Sequence, residues 1–218
     1  MFNFTLRYNK PAAGATALFN GNISQTHWNT LNTDSSTKTY SYSYDHLNRI
    51  VSAIDNTGKY NLNSVDYDKN ENILALQRQG HLNPDATAFG LMDDLTYTYN
   101  SGNQLLKVAD ASGVTEGFKD GNTSGDDYTY DVNGNMISDK NKGITDIWYN
   151  HLNLPVGVRF EDDSSISYKY DATGVKMSKF LVNETTGEER HTSYAGSFVY
   201  ENNVLQFFAT PVFYDKNK

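Results

Sequence analysis

The sequence predicts an all-β protein, an open and curved array of antiparallel β-hairpin repeats. Three observations carry that expectation. A Tyr-Asp or Tyr-Asn pair, followed by a Gly/Asn-rich turn and a short apolar run, recurs six times. Between those turns apolar and polar residues alternate with period two, as half-buried strands require. No stretch shows the apolar stripe of a packed helix.

The opening strand places Phe2, Phe4, Leu6 and Tyr8 on one face. The segment 12–19 holds Ala and Leu, but Pro11 and Gly14 interrupt it and Asn20-Gly21 ends it, so no helix is expected there. The repeats then begin. Their tyrosines are Tyr44, Tyr67, Tyr99, Tyr130, Tyr149 and Tyr170, spaced 19 to 32 residues apart. The unit is therefore elastic, with a fixed turn and variable outer loops. Tyr40, Tyr42 and Tyr44 share a strand face, as do Tyr97 with Tyr99, Tyr128 with Tyr130, and Tyr168 with Tyr170. The turn after each pair is built from Asn, Asp and Gly, which tolerate positive φ and bond their own backbone. Each repeat reads as strand, tight turn, strand, and the whole chain as about 12 to 14 strands. Loops are expected at 55–59, 81–94, 110–127, 139–143 and 183–190. The array spans 40–211, with a strand and lead-in segment at 1–39 and a non-repeat tail at 212–218.

A single hairpin cannot bury its apolar face, so neighbours must pair side by side into one continuous strip. That strip curls because sheets twist in one hand. Tyrosines at equal repeat positions form a ladder across it, and its two unpaired edges are sites for self-association or a covering partner.

Composition limits function. Among 218 residues, 18 basic side chains are scattered among 26 acidic ones for a net charge of -8, the wrong balance for a phosphate backbone, so no nucleic-acid partner is expected. The apolar fraction is only 38%, supplemented by the bulk of 16 Tyr and 11 Phe. With no Cys, thiol catalysis, Cys-ligated zinc and disulfides are excluded. No apolar run reaches transmembrane length, and the N-terminus lacks the apolar region of a signal peptide.

Candidate chemistry is sparse. His46 and His151 fill the same turn slot and lack convergent ligands. Glu161-Asp162-Asp163 and Glu188-Glu189 are adjacent acids in polar turns, not a pair facing each other across a glycosidic bond. The segment Asp120, Asn122, Ser124, Asp126, closing at Asp131, has the alternating oxygens and sixth-place glycine of a calcium loop, without an EF-hand's helices. Calcium is thus the one cofactor the sequence offers. No phosphate-binding glycine loop or nucleophile elbow occurs, so no enzyme is expected.

The turn in Tyr128-Thr129-Tyr130-Asp131-Val132-Asn133-Gly134-Asn135-Met136 resembles the YD repeat of RHS-repeat proteins. Tyr194-Ala195-Gly196-Ser197-Phe198-Val199-Tyr200 onward is similar to the segment preceding the RHS-associated core. The resemblance covers roughly Tyr40 to Pro211. It implies a β-hairpin strip wound into a hollow shell, enclosing a C-terminal toxin in bacteria or serving adhesion in animal relatives. The Asp-Pro-x-Gly core motif and the effector of toxin-type members find no counterpart after Thr210-Pro211. The expectation is a non-enzymatic piece of a larger secreted or surface-exposed shell, with extracellular or cell-surface location. Its partners would be the remainder of the shell or an encapsulated toxin. The alternative is a module binding carbohydrate or a cell-surface protein through the aromatic face of the repeats.

Overall fold

The computed structural model describes residues 2–30 and 35–209. The expected tail at 212–218 and the last two positions of the expected array, 210 and 211, lie outside the described residues. The fold is all-β and divides between Asp120 and Gly121 into two compact units, each built on one antiparallel sheet.

The first unit carries β1 (Asn3–Arg7), β2 (Gln25–Asn29), β3 (Lys38–Tyr44), β4 (Ile50–Asp55), β5 (Leu62–Tyr67), β6 (Ile73–His81), β7 (Phe89–Tyr99) and β8 (Leu105–Asp110). The second carries β9 (Tyr128–Tyr130), β10 (Met136–Asp139), β11 (Ile144–Tyr149), β12 (Pro155–Phe160), β13 (Ser165–Tyr170), β14 (Lys176–Asn183), β15 (Glu188–Ala195), β16 (Phe198–Glu201) and β17 (Val204–Phe208). In both sheets every strand pairs only with its chain neighbours, and neither sheet closes on itself. Among the described residues the sole helical piece is one 3-10 turn, Lys140–Lys142. Asp139 caps it and Gly143, at φ 62°, ends it.

Three expectations need correction. The described residues hold 17 strands rather than about 12 to 14. The irregular part of the segment 81–94 shrinks to 82–88, because β6 reaches His81 and β7 begins at Phe89, the two forming the longest hairpin. Its alternation is hidden by glycines and a bulge. Gly80 pairs with Gly90, and a Cβ on Gly80 would lie 2.5 Å from Met92 Sδ. The register then slips, Arg78 pairing with Asp93 but Gln79 with Leu91, so Met92 is the extra residue. At 183–190 the turn is shorter than expected, with β15 beginning at Glu188. The lead-in strands β1 and β2 belong to the same sheet as β3.

The buried face of each sheet is the tyrosine face. In the first unit Val65, Leu76 and Leu95 stand in one cross-strand row, while Tyr42 pairs with Ala53 and Tyr97 with Val108. Ala53, Val65, Leu95 and Val108 are the buried members. In the second unit Ile147, Val158, Ile166 and Leu181 form the corresponding row. So few fully buried apolar residues make a thin core, and the links between hairpins therefore carry a large share of the cohesion.

Candidate functional site

The recurring structural site is the junction between one repeat turn and the next. It starts with local hydrogen bonding that the Tyr-Asp motif dictates. At Asp131 the backbone N–H donates to the Asn135 carbonyl at 2.9 Å, and Gly134 N–H donates to the Asp131 carbonyl at 3.1 Å. The Asp131 carboxylate accepts from Asn133 N and Asn135 N through Oδ1, each at 2.9 Å, and from Asn135 Nδ2 through Oδ2 at 3.0 Å. Asp45, Asp68, Asn100, Asn150 and Asp171 repeat this pattern, the side-chain oxygen accepting from the N–H groups two and four residues on. The role needs an acceptor oxygen on a short stem, and Asp and Asn both supply it.

The fourth turn residue takes the left-handed conformation in all six cases: Asn48, Glu71, Asn103, Gly134, Asn153 and Gly174, with φ between 56° and 88°. Gly and Asn are at ease there, whereas Glu71 is strained.

These turns lower the pKa of their carboxylates below the usual value. At Asp68 and Asp131 the leading cause is the side-chain hydrogen bond from Asn72 or Asn135, and at Asp171 the one from Thr173. At Asp45 partial burial pushes upward, but the bonds from Arg49 and Leu47 outweigh it.

The tyrosine before each turn acts on the neighbouring hairpin. Tyr44 donates its hydroxyl to the Ile23 carbonyl at 2.9 Å, Tyr67 to Ile50 at 2.7 Å, Tyr149 to Met136 at 2.7 Å and Tyr170 to Pro155 at 2.9 Å. The Tyr99 hydroxyl bonds the backbone of Ile73. In each case from Tyr67 on, the partner lies six positions past the previous repeat tyrosine. Burial raises the pKa of all five of these phenols above the ordinary tyrosine value. Tyr130, the remaining repeat tyrosine, lies half-buried on β9 opposite Met136.

Asparagines at the turn tips add a second set of links. Asn48 Oδ1 accepts from Asn20 and Asn22, Asn103 Oδ1 from Asn70 and Asn72, and Asn153 Oδ1 from Asn135, all at 2.7–3.1 Å. Arg49 joins the set, its Nη1 donating to the Asp68 carbonyl at 3.0 Å while its guanidinium lies 4.5 Å above the Tyr67 ring.

A seventh, degenerate turn went unread in the sequence. Asn20-Gly21-Asn22-Ile23 has Gly21 at φ 93°, sends Asn22 to Asn48 as Asn72 goes to Asn103, and offers the Ile23 carbonyl to Tyr44. It lacks the Tyr-Asp pair, having Ala17-Leu18 instead. The readable signal was the likeness of Asn20-Gly21-Asn22-Ile23 to Asn133-Gly134-Asn135-Met136.

The calcium-loop residues are placed as follows. Asp120 closes the first unit, its Oδ2 accepting from Asp110 N at 3.3 Å. In the second unit Asn122 Nδ2 donates to Asp127 Oδ1 at 2.9 Å, and Ser124 and Asp126 are exposed. The Asp131 carboxylate is committed to its own turn. Among the described residues no group of three or more His, Cys, Asp or Glu is gathered to hold a metal.

Comparison with known proteins agrees with this geometry at the level of fold. No protein-family profile matches the chain, and no curated protein matches it. Solved structures do. The crystal structure of TcdB2-TccC3-TEV matches with a TM-score of 0.57 at 12% identity over 86% of this chain and 11% of that one. The Photorhabdus luminescens Tc holotoxin pore matches with a TM-score of 0.57 at 12% identity over 94% and 11%. TcdB2-TccC3 without its hypervariable C-terminal region gives 0.54 at 12% identity over 86% and 11%. The chain thus spans about a ninth of the length of the structures it matches.

Proposed function

We propose that this chain is a non-enzymatic wall segment of an RHS/YD-repeat shell within a larger, secreted toxin-type assembly. The observation that carries the reading is the repeated junction, a tyrosine of one hairpin bonded to the backbone of the hairpin before it. Such a device fixes the lateral spacing of hairpins and needs no substrate. The likeness in fold to chains of a Tc holotoxin, over a small share of their length, supports the same reading. On it, the partners are further repeats of the shell or cargo enclosed by it, and the assembly is extracellular.

Electron cryo-microscopy of the native assembly purified through this chain tests the proposal. Both sheets built into a longer hairpin strip would support it. Recovery of the chain as a free monomer that turns over a substrate would overturn it.

A further inference from the structure

One cleft in the first unit is not accounted for by a wall role. It measures about 360 Å³ and is walled by two aromatic pairs. Trp28 stacks on Tyr40 with centroids 5.7 Å apart and planes 10° apart, and Tyr60 meets Phe89 edge-on at 5.5 Å. Strand pairing positions the first pair, since Trp28 on β2 lies diagonal to Tyr40 on β3. The second pair is held by the Tyr40 hydroxyl, which donates to the Tyr60 carbonyl at 2.8 Å.

The polar groups of the cleft are unequally committed. The acceptors serve the protein. Asp55 Oδ1 takes the N–H and hydroxyl of Thr57, its Oδ2 takes Tyr60 N–H, and Asn56 Oδ1 takes Thr39 N–H. The Asn56 amide is committed as well, donating to the Thr37 carbonyl. What remains is weighted toward donors, the Tyr60 hydroxyl alone being able to accept as well. Lys59 Nζ sits 4.4 Å from the Phe89 ring centroid and forms no ion pair among the described residues. Trp28 Nε1–H and the Tyr60 hydroxyl have no hydrogen-bond partner among the described residues. Two ammonium groups line the cleft, Lys59 and Lys38, the latter donating to Ser36 Oγ, so flat apolar walls beside positive charge favour an aromatic ring with a carboxylate over a neutral sugar.

We propose that the cleft walled by Trp28, Tyr40, Tyr60 and Phe89 seats an aromatic side chain flanked by a carboxylate, presented by an acidic peptide segment of a partner. The ring enters between the aromatic pairs and the carboxylate meets Lys59 at the rim. The volume is of the size that holds one such side chain.

The test is a titration of the intact, nitrogen-15-labelled chain followed through its two indole N–H signals, Trp28 and Trp148. Trp148 lies in the second unit and serves as the internal control. The probes are acetyl-Asp-Phe-Asp-amide, its Asn-Phe-Asn and Asp-Ala-Asp counterparts, N-acetylphenylalanine and cellotriose. The expected result is saturable movement of the Trp28 signal alone with the first peptide, and affinity lower by about threefold for Asn-Phe-Asn, the scale of one half-exposed ion pair. Asp-Ala-Asp should fall by about tenfold or more, since the ring supplies most of the burial. Lys59→Gln should narrow the gap between the acidic and Asn-Phe-Asn peptides, any remainder falling to Lys38, and Tyr60→Ala should weaken both. Equal binding of these two peptides to the unmodified chain would overturn the proposal, as would a Trp28 signal that none of the probes moves. Tighter binding of cellotriose would assign the cleft to a sugar, and N-acetylphenylalanine binding as tightly as the peptide would assign it to a free aromatic acid; either contradicts the peptide assignment.

Discussion

The phenolic oxygen of Tyr67 lies 2.7 Å from the carbonyl oxygen of Ile50, one repeat earlier in the chain. Tyr149 and Met136 show the same relationship in the second unit. A neutral hydrogen bond of this kind contributes about 1 kcal/mol net. Tyr67→Phe and Tyr149→Phe should each lose about that much while keeping the ring in place. The two sites lie in separate units and share no partner, so the double variant should lose about twice as much. Urea denaturation followed by circular dichroism measures both, and a loss near zero in each single variant would show that the phenol is incidental.

Stability should fall at both ends of the pH scale, for opposite reasons. Asp45, Asp68, Asp131 and Asp171 titrate lower in the fold than in the unfolded chain. Their contribution is present above the unfolded carboxylate value of about 4 and is lost as pH falls through the depressed folded values. The junction tyrosines titrate higher in the fold, so their contribution is full below about pH 10 and disappears as pH rises through the raised values. Asp131→Asn, which copies Asn100 and Asn150, should keep the turn and flatten the acid limb. Melting temperatures from pH 2 to 11 check this.

Glu71 occupies a left-handed position at φ 71° that glycine fills at Gly134 and Gly174. Glu71→Gly should stabilise the chain by about 1 kcal/mol and Gly134→Ala should destabilise it by about the same amount. Asn103→Gly isolates the other role of that position, because either residue suits the backbone but the change deletes the acceptor for Asn70 and Asn72. It should not stabilise. Thermal denaturation of the three variants gives the comparison.

How far these features were legible depended on whether their cause was local. The six turns could be read because an Asp or Asn oxygen and a Gly or Asn three residues later are neighbours in sequence. The turn at 20–23 escaped because its tyrosine and aspartate are replaced, although its tip letters survive. The β6–β7 hairpin escaped because Gly80, Gly90 and the Met92 bulge erase the alternation that strands are recognised by. The cleft was illegible for a different reason: Trp28, Tyr60 and Phe89 meet only through pairing across four hairpins. So was the Asp93 latch. That carboxylate is 1% exposed, accepts from Arg78 Nε at 2.5 Å and holds Phe118 N–H at 2.6 Å, 25 residues away.

The latch makes its own prediction. A Cβ on Gly117 would stand 2.0 Å from Asp93 Oδ1, so Gly117→Ala should free the segment 111–120 and leave Asp93 without its Phe118 partner. Faster amide exchange confined to that segment, with a loss of several kcal/mol of the kind expected when a buried charge loses a partner, is the anticipated result. Hydrogen-exchange mass spectrometry resolves it.

Edge strand β1 carries Phe4, with Phe2 just before it, 54% and 62% exposed and stacked on one another at 6.2 Å. An unpaired edge with an apolar face invites pairing with another chain. Phe4→Lys should therefore reduce self-association without lowering the melting temperature, which light-scattering chromatography over a concentration series will detect.

Within each unit, the tyrosine before a repeat turn binds its hairpin to the one before it, as Tyr44, Tyr67, Tyr99, Tyr149 and Tyr170 do. Native-state hydrogen exchange on Tyr67→Phe tests this most directly. Exchange should quicken on both sides of the junction, in 50–55 of β4 as well as 62–67 of β5. Faster exchange in 62–67 alone, with 50–55 unchanged, would contradict it.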